Sequence, residues 1–258
     1  MSPWKLARPF AAASCAAIVA LAVAAAPVGA QTHAYQLTSS LSDLFGGPSL
    51  VANGGTQGAS GYTFGTNQGL SLSSVFSVGG SYSIAIRSKY TGFNSFGLGY
   101  KKLVDFKDMS SDAGWYDRNG GIAEFYPAGT GGAPYTDNVF DFTVLTRDAA
   151  TKDFTAYVNG SQSLAFTDNA NDATFSGAAN IARFFEDDVI SRQIENAAGV
   201  VTYIAVYDRA LTAGEVSGLG EVTATPEPAS LVLLGTGLAC VAGLTRRGRR
   251  TSSRESLT

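Results

Sequence analysis

The sequence predicts an all-β protein, specifically a β-sandwich of jelly-roll type. Runs that alternate apolar and polar residues with period two recur between breaks rich in Gly, Asn and Asp. Glycine is abundant, with 25 of the 30 glycines between residues 31 and 225, which disfavours long helices and suits tight turns. A single segment carries a helix-start signal. Several short strands with almost no helix are typical of a jelly roll.

The predicted strands, in chain order, cover residues 82–87, 96–106, 139–146, 154–158, 163–166, 180–185 and 200–207. In the third run Phe140, Phe142 and Val144 share one face, which is the alternation expected of a half-buried strand. Asn159 and Gly160 lie between the fourth and fifth runs, and this dipeptide readily takes the two positive φ angles of a type I′ turn. These two runs therefore predict a β-hairpin.

The remaining parts of this region predict one short helix and two loops. Thr212 and Glu215 have the spacing of a capping box, which predicts a short turn of helix over residues 212–217. Residues 53–69 and 110–138 lack periodicity. We expect both stretches to be loops at the rim of the sandwich, where binding functions tend to lie.

Residues 1–30 have the pattern of a signal peptide. Lys5 and Arg8 precede an apolar run over residues 10–26, and small residues at 28–30 supply a cleavage site. The alternative is an N-terminal membrane anchor. Cleavage after Ala30 places the working protein outside the cytoplasm.

The C-terminal segment combines three features in order. Residues 226–228 read Pro-Glu-Pro, residues 229–244 form an apolar run of 16 residues, and a basic cluster lies within residues 246–250. A membrane-spanning helix needs about 20 residues, so this run suits transient insertion in the inner membrane, with the arginines as a cytoplasmic stop. A plain C-terminal anchor is the alternative. The residues expected to direct sorting are Pro226, Glu227, Pro228, Arg246, Arg247, Arg249 and Arg250.

This order of tripeptide, apolar run and arginines resembles the PEP-CTERM sorting signal, over residues 224–250. The resemblance implies recognition and cleavage by an exosortase-like enzyme in bacteria that make exopolysaccharide. The sequence thus divides into a signal peptide (1–30), one folded domain (31–223) and a sorting signal.

The charge and the cysteines of the folded domain exclude several functions. Residues 31–225 contain 11 Lys and Arg against 19 Asp and Glu, a formal charge of −8, which argues against nucleic acid and anionic membranes as partners. Both cysteines, Cys15 and Cys240, lie in the removable ends. His33 is the one histidine, so catalysis by Ser-His-Asp or Cys-His and zinc sites built on histidine are excluded.

Residues 139–216 resemble a concanavalin A-like, laminin-G-type jelly roll. The segments that carry the resemblance are Tyr157-Val158-Asn159-Gly160 and residues 204–212, which read IAVYDRALT. Members of this superfamily mostly bind carbohydrate or protein ligands, often with calcium, and some are glycoside hydrolases. The resemblance therefore implies a binding module.

Glu186, Asp187 and Asp188 form the densest acidic cluster, and they follow the end of an apolar strand. Calcium prefers several oxygen ligands from one loop, and three adjacent acids repel one another less around a cation. The strand must end at this point for all three side chains to converge. The alternative is a solvated acidic loop that makes local turn hydrogen bonds.

Aromatic and polar side chains concentrate in and around the predicted 110–138 loop. Aromatic rings stack on the apolar faces of sugars, while carboxylate, amide and guanidinium groups bind hydroxyls. The alternative is that these rings cover the sandwich core. The candidate ligand-binding residues are Trp115, Tyr116, Asp117, Arg118, Asn119, Tyr126 and Tyr135.

A glycoside hydrolase needs two carboxylates that face one glycosidic bond. Jelly-roll glucanases usually place theirs as Glu-x-Asp-x-x-Glu, and Glu124, Glu186 and Glu195 each lack these partners. We therefore expect no enzymatic activity. The predicted function is an exported cell-surface or biofilm-matrix protein that binds polysaccharide; a protein-binding adhesion module and a glycoside hydrolase are the two alternatives.

Overall fold

The computed structural model describes residues 31–92, 99–118, 121–132 and 135–222. Strands dominate this part of the chain, and one helix follows them. The strands are β1 (His33–Gln36), β2 (Val51–Asn53), β3 (Thr56–Gly58), β4 (Gly61–Phe64), β5 (Gly69–Leu72), β6 (Tyr82–Tyr90), β7 (Tyr100–Asp105), β8 (Gly114–Arg118), β9 (Ile122–Tyr126), β10 (Gly129–Thr130), β11 (Asp141–Arg147), β12 (Asp153–Val158), β13 (Ser161–Thr167), β14 (Ala182–Phe184) and β15 (Gly199–Tyr207).

The strands form two antiparallel sheets, which confirms the predicted all-β sandwich. One sheet has the order β13-β12-β11-β6-β15-β4-β3, with β1 paired to β15 beside β4. The other has the order β10-β9-β8-β7-β14-β5-β2. Strands that are neighbours in sequence often lie far apart in the sheets, as the crossing connections of a jelly roll require.

The core between the sheets is built from aromatic rings. Phe106, Phe125 and Phe154 pack with ring centroids 4.9 to 6.3 Å apart, and Trp115 contacts the same group through Phe154 at 6.3 Å. All four side chains are fully buried. Each aromatic ring removes a large apolar area from water, so this cluster is a main source of stability.

A second, smaller apolar cluster lies on the outer face of the first sheet. The helix α1 (Ala213–Val222) places Val216 and Leu219 against Ala205 and Phe142. Its start has the predicted capping box: the Thr212 hydroxyl accepts from the Glu215 amide at 3.3 Å, and the Glu215 carboxylate accepts from the Thr212 amide at 2.9 Å. The helix runs beyond the predicted residue 217.

All seven predicted strand regions contain strands, and the predicted hairpin is present. Asn159 and Gly160 have φ angles of 51° and 79° and connect β12 to β13 as a two-residue turn. The two predicted rim loops are wrong. Residues 53–69 contain β3 and β4, and residues 110–138 contain β8, β9 and β10. The β8 segment reads Gly-Trp-Tyr-Asp-Arg, which does not alternate apolar and polar residues, so no strand signal is present in the sequence there.

The pairing of β7 with β8 contains an irregularity that matters for the site. The register shifts between Lys102 and Val104, so that Leu103 is the extra residue of a β-bulge. Residues three apart on a regular strand point to opposite faces. Because of the bulge, Lys102 and Asp105 both lie on the outer face, opposite Tyr116 and Gly114 respectively.

No helix within the described residues is both long and apolar enough to cross a membrane. The predicted signal peptide, residues 1–30, and the predicted sorting signal, residues 224–250, lie outside the described residues.

Candidate functional site

The outer face of the second sheet carries a buried lysine surrounded by carboxylates. The Lys102 ammonium lies 3.2 Å from Asp105 Oδ2 and 3.5 Å from Asp187 Oδ1, and it also pairs with Asp188. Asp112 Oδ1 is 3.9 Å from the same nitrogen. Burial acts to lower the pKa of Lys102, but Asp105 and Asp188 outweigh burial and raise it. The lysine therefore stays charged inside this cluster.

Asp187 and Asp188 also fix the loop that follows β14. Asp187 Oδ2 accepts hydrogen bonds from the Glu195 amide at 2.8 Å and the Ser191 hydroxyl at 2.7 Å. Asp188 Oδ1 accepts from the amides of Ile190 and Ser191. The Lys102 amide donates to the Glu195 carbonyl at 2.9 Å. These bonds hold Glu195 over β7.

A pocket opens beside the lysine cluster. It has a volume of about 270 Å³, including the solvent at its mouth, and its lining residues are Tyr100, Asp112, Tyr116, Tyr126 and Glu195. Tyr116 and Lys102 are cross-strand partners and so share one face of the sheet, while Trp115 on the opposite face enters the core. The pocket thus lies on the outer surface of the sandwich, with two acidic and three aromatic side chains around it.

Gly114 keeps space open at this pocket. It lies directly opposite Tyr126 across β8 and β9. A Cβ atom at this position would lie 2.8 Å from Lys102 Cε and 3.1 Å from Tyr116 Cε2, which is too close. The carbonyl oxygen of Val104 would also lie 3.0 Å away, so glycine is needed for the close approach of Lys102 and Tyr116 to this position.

The three rings have defined orientations. Tyr100 and Tyr116 meet edge to face, with centroids 5.8 Å apart and planes at 82°. The Tyr116 hydroxyl donates to Asp112 Oδ1 at 2.7 Å, which fixes both side chains. Tyr126 is 44% exposed, so its ring is accessible to a ligand. Tyr100 and Tyr116 thus form a fixed part of the pocket wall beside the accessible ring of Tyr126.

The two pocket carboxylates hold their protons more tightly than usual. Burial, together with the nearby charges of Asp112 and Asp187, raises the pKa of Glu195 to about 7. Burial likewise raises the pKa of Asp112, against the opposing hydrogen bond from Tyr116. Burial and the neighbouring acidic groups thus both favour the protonated forms of these two carboxyls.

The structure separates the predicted ligand-binding residues into two groups. Tyr116 and Tyr126 line the pocket, and Arg118 lies next to it, with its guanidinium 5.6 Å from the Tyr100 ring centroid. Trp115 and Tyr135 are buried in the core, where the indole donates to the Tyr135 hydroxyl at 2.6 Å. These two rings serve packing, and the expectation that they face a ligand is corrected.

Asp117 is also placed inside the sandwich, because it alternates with Tyr116 along β8. It is buried and its Oδ2 lies 2.8 Å from the Lys101 ammonium, which also pairs with Asp137. A buried ion pair of this kind neutralises both partners within the fold, so the expected ligand contact of Asp117 is corrected. The last predicted residue of this set, Asn119, lies outside the described residues.

Glu186, Asp187 and Asp188 do not converge. β14 ends at Phe184, but Glu186 turns to Arg183, with Oε2 2.9 Å from the guanidinium, whereas Asp187 and Asp188 face Lys102. All three are buried, so this loop is not solvated as the alternative expected. The local turn hydrogen bonds of that alternative are present, since Asp188 accepts from two amides of the loop that follows it.

The lysine ammonium lies where a cation shared by Asp187 and Asp188 would sit, and a calcium shell on these three acids does not fit. No group of three or more acidic, histidine or cysteine side chains in the described parts of the chain is arranged to hold a metal ion. The expectation that the domain binds calcium stays a prediction.

Sequence reasoning missed four members of the site: Tyr100, Lys102, Asp112 and Glu195. One signal was available, because a strand that reads YKKLVDF places two lysines among apolar residues. A lysine is almost never fully buried without a paired charge. The two lysines therefore indicate nearby carboxylates, although the sequence does not show which ones.

One family model matches the chain. It is the PEP-CTERM protein-sorting motif, and it covers residues 224–250. This match confirms the predicted sorting signal. It marks the chain as an exported protein that an exosortase-type enzyme processes from a membrane-anchored intermediate. No curated protein matches the chain significantly.

Several solved structures share the fold. Trypanosoma rangeli sialidase in complex with 2,3-difluorosialic acid has a TM-score of 0.59 at 14% identity, over 76% of this chain and 33% of that one. The same sialidase in complex with sialic acid has a TM-score of 0.55 at 16% identity, over 73% and 32%. The botulinum neurotoxin serotype D binding domain has a TM-score of 0.53 at 12% identity, over 74% and 51%. This chain therefore spans about a third of the sialidases and half of the neurotoxin domain, and these likenesses show the fold alone.

Proposed function

We propose that this exported protein binds polysaccharide at the cell surface or in the biofilm matrix, through the pocket on its second sheet, and that it is not an enzyme. The pocket is the observation that carries this proposal. Small-ligand sites combine apolar and aromatic walls with a few placed polar groups. Tyr126 offers an accessible ring face, and Asp112 and Glu195 offer acceptors for sugar hydroxyls.

Hydrogen bonds hold Asp112 and the Glu195 backbone in place around the pocket, which favours binding without rearrangement. Asp112 is held by Tyr116, and the Glu195 backbone is held by Asp187 and by the Lys102 amide. A site whose side chains are already fixed loses little entropy when a ligand binds. The fold neighbours include a sialidase solved with sialic acid, and their low identity limits this support to the architecture.

The proposal is tested by measuring binding to an array of bacterial polysaccharides and defined oligosaccharides. The full chain is used in a detergent without sugar groups, since a glycosidic detergent would compete for the pocket. We expect Tyr126→Ala to weaken binding of the best ligand by about tenfold, or about 1.4 kcal/mol. Phe45→Ala is the matched control, because Phe45 is 62% exposed in the loop between β1 and β2. Equal affinities for the two variants would refute the proposal.

A glycoside hydrolase is a second candidate, because two carboxylates line one pocket and the pKa of Glu195 is about 7. A raised carboxyl pKa of this kind is what a general acid requires. The test is release of reducing ends from the ligands that bind. Release that Glu195→Gln abolishes, while binding persists, would establish the hydrolase and replace the non-enzymatic proposal.

A further inference from the structure

The region around the pocket contains far more acidic than basic groups. Asp105, Asp112, Asp187, Asp188 and Glu195 surround one ammonium group, that of Lys102, so the acidic groups outnumber the basic one by five to one. Arg183 on the adjacent strand β14 does not correct this excess, since Asp108 and Glu186 already pair with it.

The two pocket carboxylates are the acidic groups that Lys102 neutralises least. Asp112 is the most distant of the four aspartates from Lys102, at 3.9 Å. Glu195 lines the same pocket as Asp112. Asp187 Oδ1 is buried and lacks a hydrogen-bond partner within the described residues, since Lys102 is 3.5 Å away.

The tyrosine rings of the pocket are a second, independent indication that the pocket suits a cation, because two of them already lie against cationic side chains. The Lys102 ammonium lies 5.0 Å from the Tyr116 ring centroid, and the Arg118 guanidinium lies 5.6 Å from that of Tyr100. A cation over a tyrosine face is attracted by the ring quadrupole, and the attraction strengthens as the cation is desolvated. Tyr126, at the pocket mouth, presents a further ring that is 44% exposed.

We infer that the pocket binds a cationic amino sugar, that is, a pyranose with a free, protonated amine, as found in an N-deacetylated polysaccharide. The inference rests on the proposed sugar-binding function and names the ligand class for the same site. The ammonium group would lie between Asp112 and Glu195, and the apolar face of the sugar ring would contact Tyr126. An acidic sugar would be repelled, and an N-acetylated or neutral sugar would leave the carboxylates without a counter-charge.

Three hexasaccharides test the inference: β-1,4-linked glucosamine, β-1,4-linked N-acetylglucosamine and β-1,4-linked glucose. Affinities for the full chain are measured by calorimetry near neutral pH in a detergent without sugar groups. We expect glucosamine hexamer to bind at least about tenfold more tightly than either other hexamer, a difference of about 1.4 kcal/mol. The double variant Asp112→Asn, Glu195→Gln should lose this preference.

The control is a second double variant, Asp153→Asn, Asp208→Asn, which removes two exposed carboxylates away from the pocket. It should keep the preference, because the preference depends on the pocket carboxylates. A general attraction of a basic oligomer to an acidic protein would instead be weakened equally by both double variants. Equal loss in both double variants would overturn the inference. A second result would also overturn the inference. If calcium alone produced the binding heat that the pocket variant loses, the site would bind a bare cation and not an amino sugar.

The outcomes also separate this inference from the function on which it rests. If glucose or N-acetylglucosamine hexamer binds as tightly as glucosamine hexamer, and Tyr126→Ala weakens all three, the pocket binds sugar and only the amine preference is overturned. If Tyr126→Ala changes no affinity, sugar binding at this pocket fails and the amine preference fails with it.

Discussion

Lys102 lies among three fully buried carboxylates, and its ammonium group is their shared counter-charge. Lys102→Ala would leave Asp105, Asp187 and Asp188 buried without it, a change that typically costs about 3–5 kcal/mol. We expect a large fall in the melting temperature of the full chain. Lys89→Ala should have a much smaller effect, because Lys89 is half-buried over the Phe140 ring on the other sheet.

The same variant tests calcium. With the ammonium group removed, a divalent cation can take its place among the carboxylates. Calcium should therefore raise the melting temperature of Lys102→Ala more than that of the wild type. If Lys102→Ala does not fold, the milder double variant Lys102→Ala, Asp188→Asn is used instead. A calcium shift that is larger in the wild type would contradict this account and support a calcium site elsewhere.

Glu195 makes stability depend on pH. Its pKa is about 7 in the folded chain, against an ordinary value of 4.5, so the folded state binds more protons between these values. Stability is therefore highest at the acidic end of this window and falls as the pH rises toward 7 and above. After allowance for solvent screening of a half-buried group, the loss is on the order of 1 kcal/mol.

Chemical denaturation between about pH 5 and pH 8 measures this slope. Glu195→Gln should flatten it, and Asp112 contributes the remainder, since burial raises its pKa in the same direction. Glu215→Gln is the control. The hydrogen bonds from Arg209 and Thr212 lower the pKa of Glu215 to about 2, so this carboxylate is ionised throughout the window. A wild-type stability that rises with pH would refute the role assigned to Glu195.

Strand β5 must pass very close to β14, and Gly69 makes this possible. A Cβ atom at Gly69 would overlap the carbonyl oxygen of Phe184 and lie 2.7 Å from Glu186 Cγ. Because backbone atoms are in the way, Gly69→Ala should push the strands apart and destabilise the protein by about 1–3 kcal/mol. Gly58→Ala on β3 faces open space and should stay within about 0.5 kcal/mol of wild type. Equal melting temperatures for the two variants would contradict this prediction.

The sequence predicted strands where the alternation of apolar and polar residues runs over many positions, as in β11 and β15, and it predicted a loop where β8 lies. Burial does not explain this difference, because β11 is buried at all seven positions and was still predicted as a strand. In β8 each face mixes an aromatic ring with a charged group. Trp115 shares the inner face with Asp117. Tyr116 shares the outer face with Arg118. The short edge strand β2 is fully exposed and leaves no apolar pattern.

The candidate site could be predicted only in part, because it is assembled from distant segments. Tyr116 and Tyr126 were found since aromatic residues are conspicuous in a sequence. Asp112 and Glu195 come from two different loops, and both lie beside Lys102. The bulge at Leu103 places Asp105 on the same face of the sheet as Lys102. No spacing rule along the chain predicts a bulge at that position, so the outer-face location of Asp105 and Lys102 required the structure.

The chain joins a folded domain to a sorting signal, and the sorting signal can be tested separately from the domain. Replacing Arg246, Arg247, Arg249 and Arg250 by neutral residues should weaken retention in the membrane before cleavage, since the positive stop is lost. Secreted and cell-associated fractions, with processed masses, measure the effect. Ligand binding by the purified variant should be unchanged, which serves as the control. Identical distributions for the variant and the wild type would reject this role of the arginines.

The helix α1 ends only a few residues before the predicted sorting signal. The helix ends at Val222, and three residues separate it from Pro226. Even when fully extended, the four steps from Val222 to Pro226 span no more than about 14 Å. Val216 and Leu219 pack the helix against the first sheet, so Pro226 can lie no more than about 14 Å from the end of a helix that belongs to the folded domain. We therefore expect an enzyme that binds the Pro-Glu-Pro segment to work close to the domain surface.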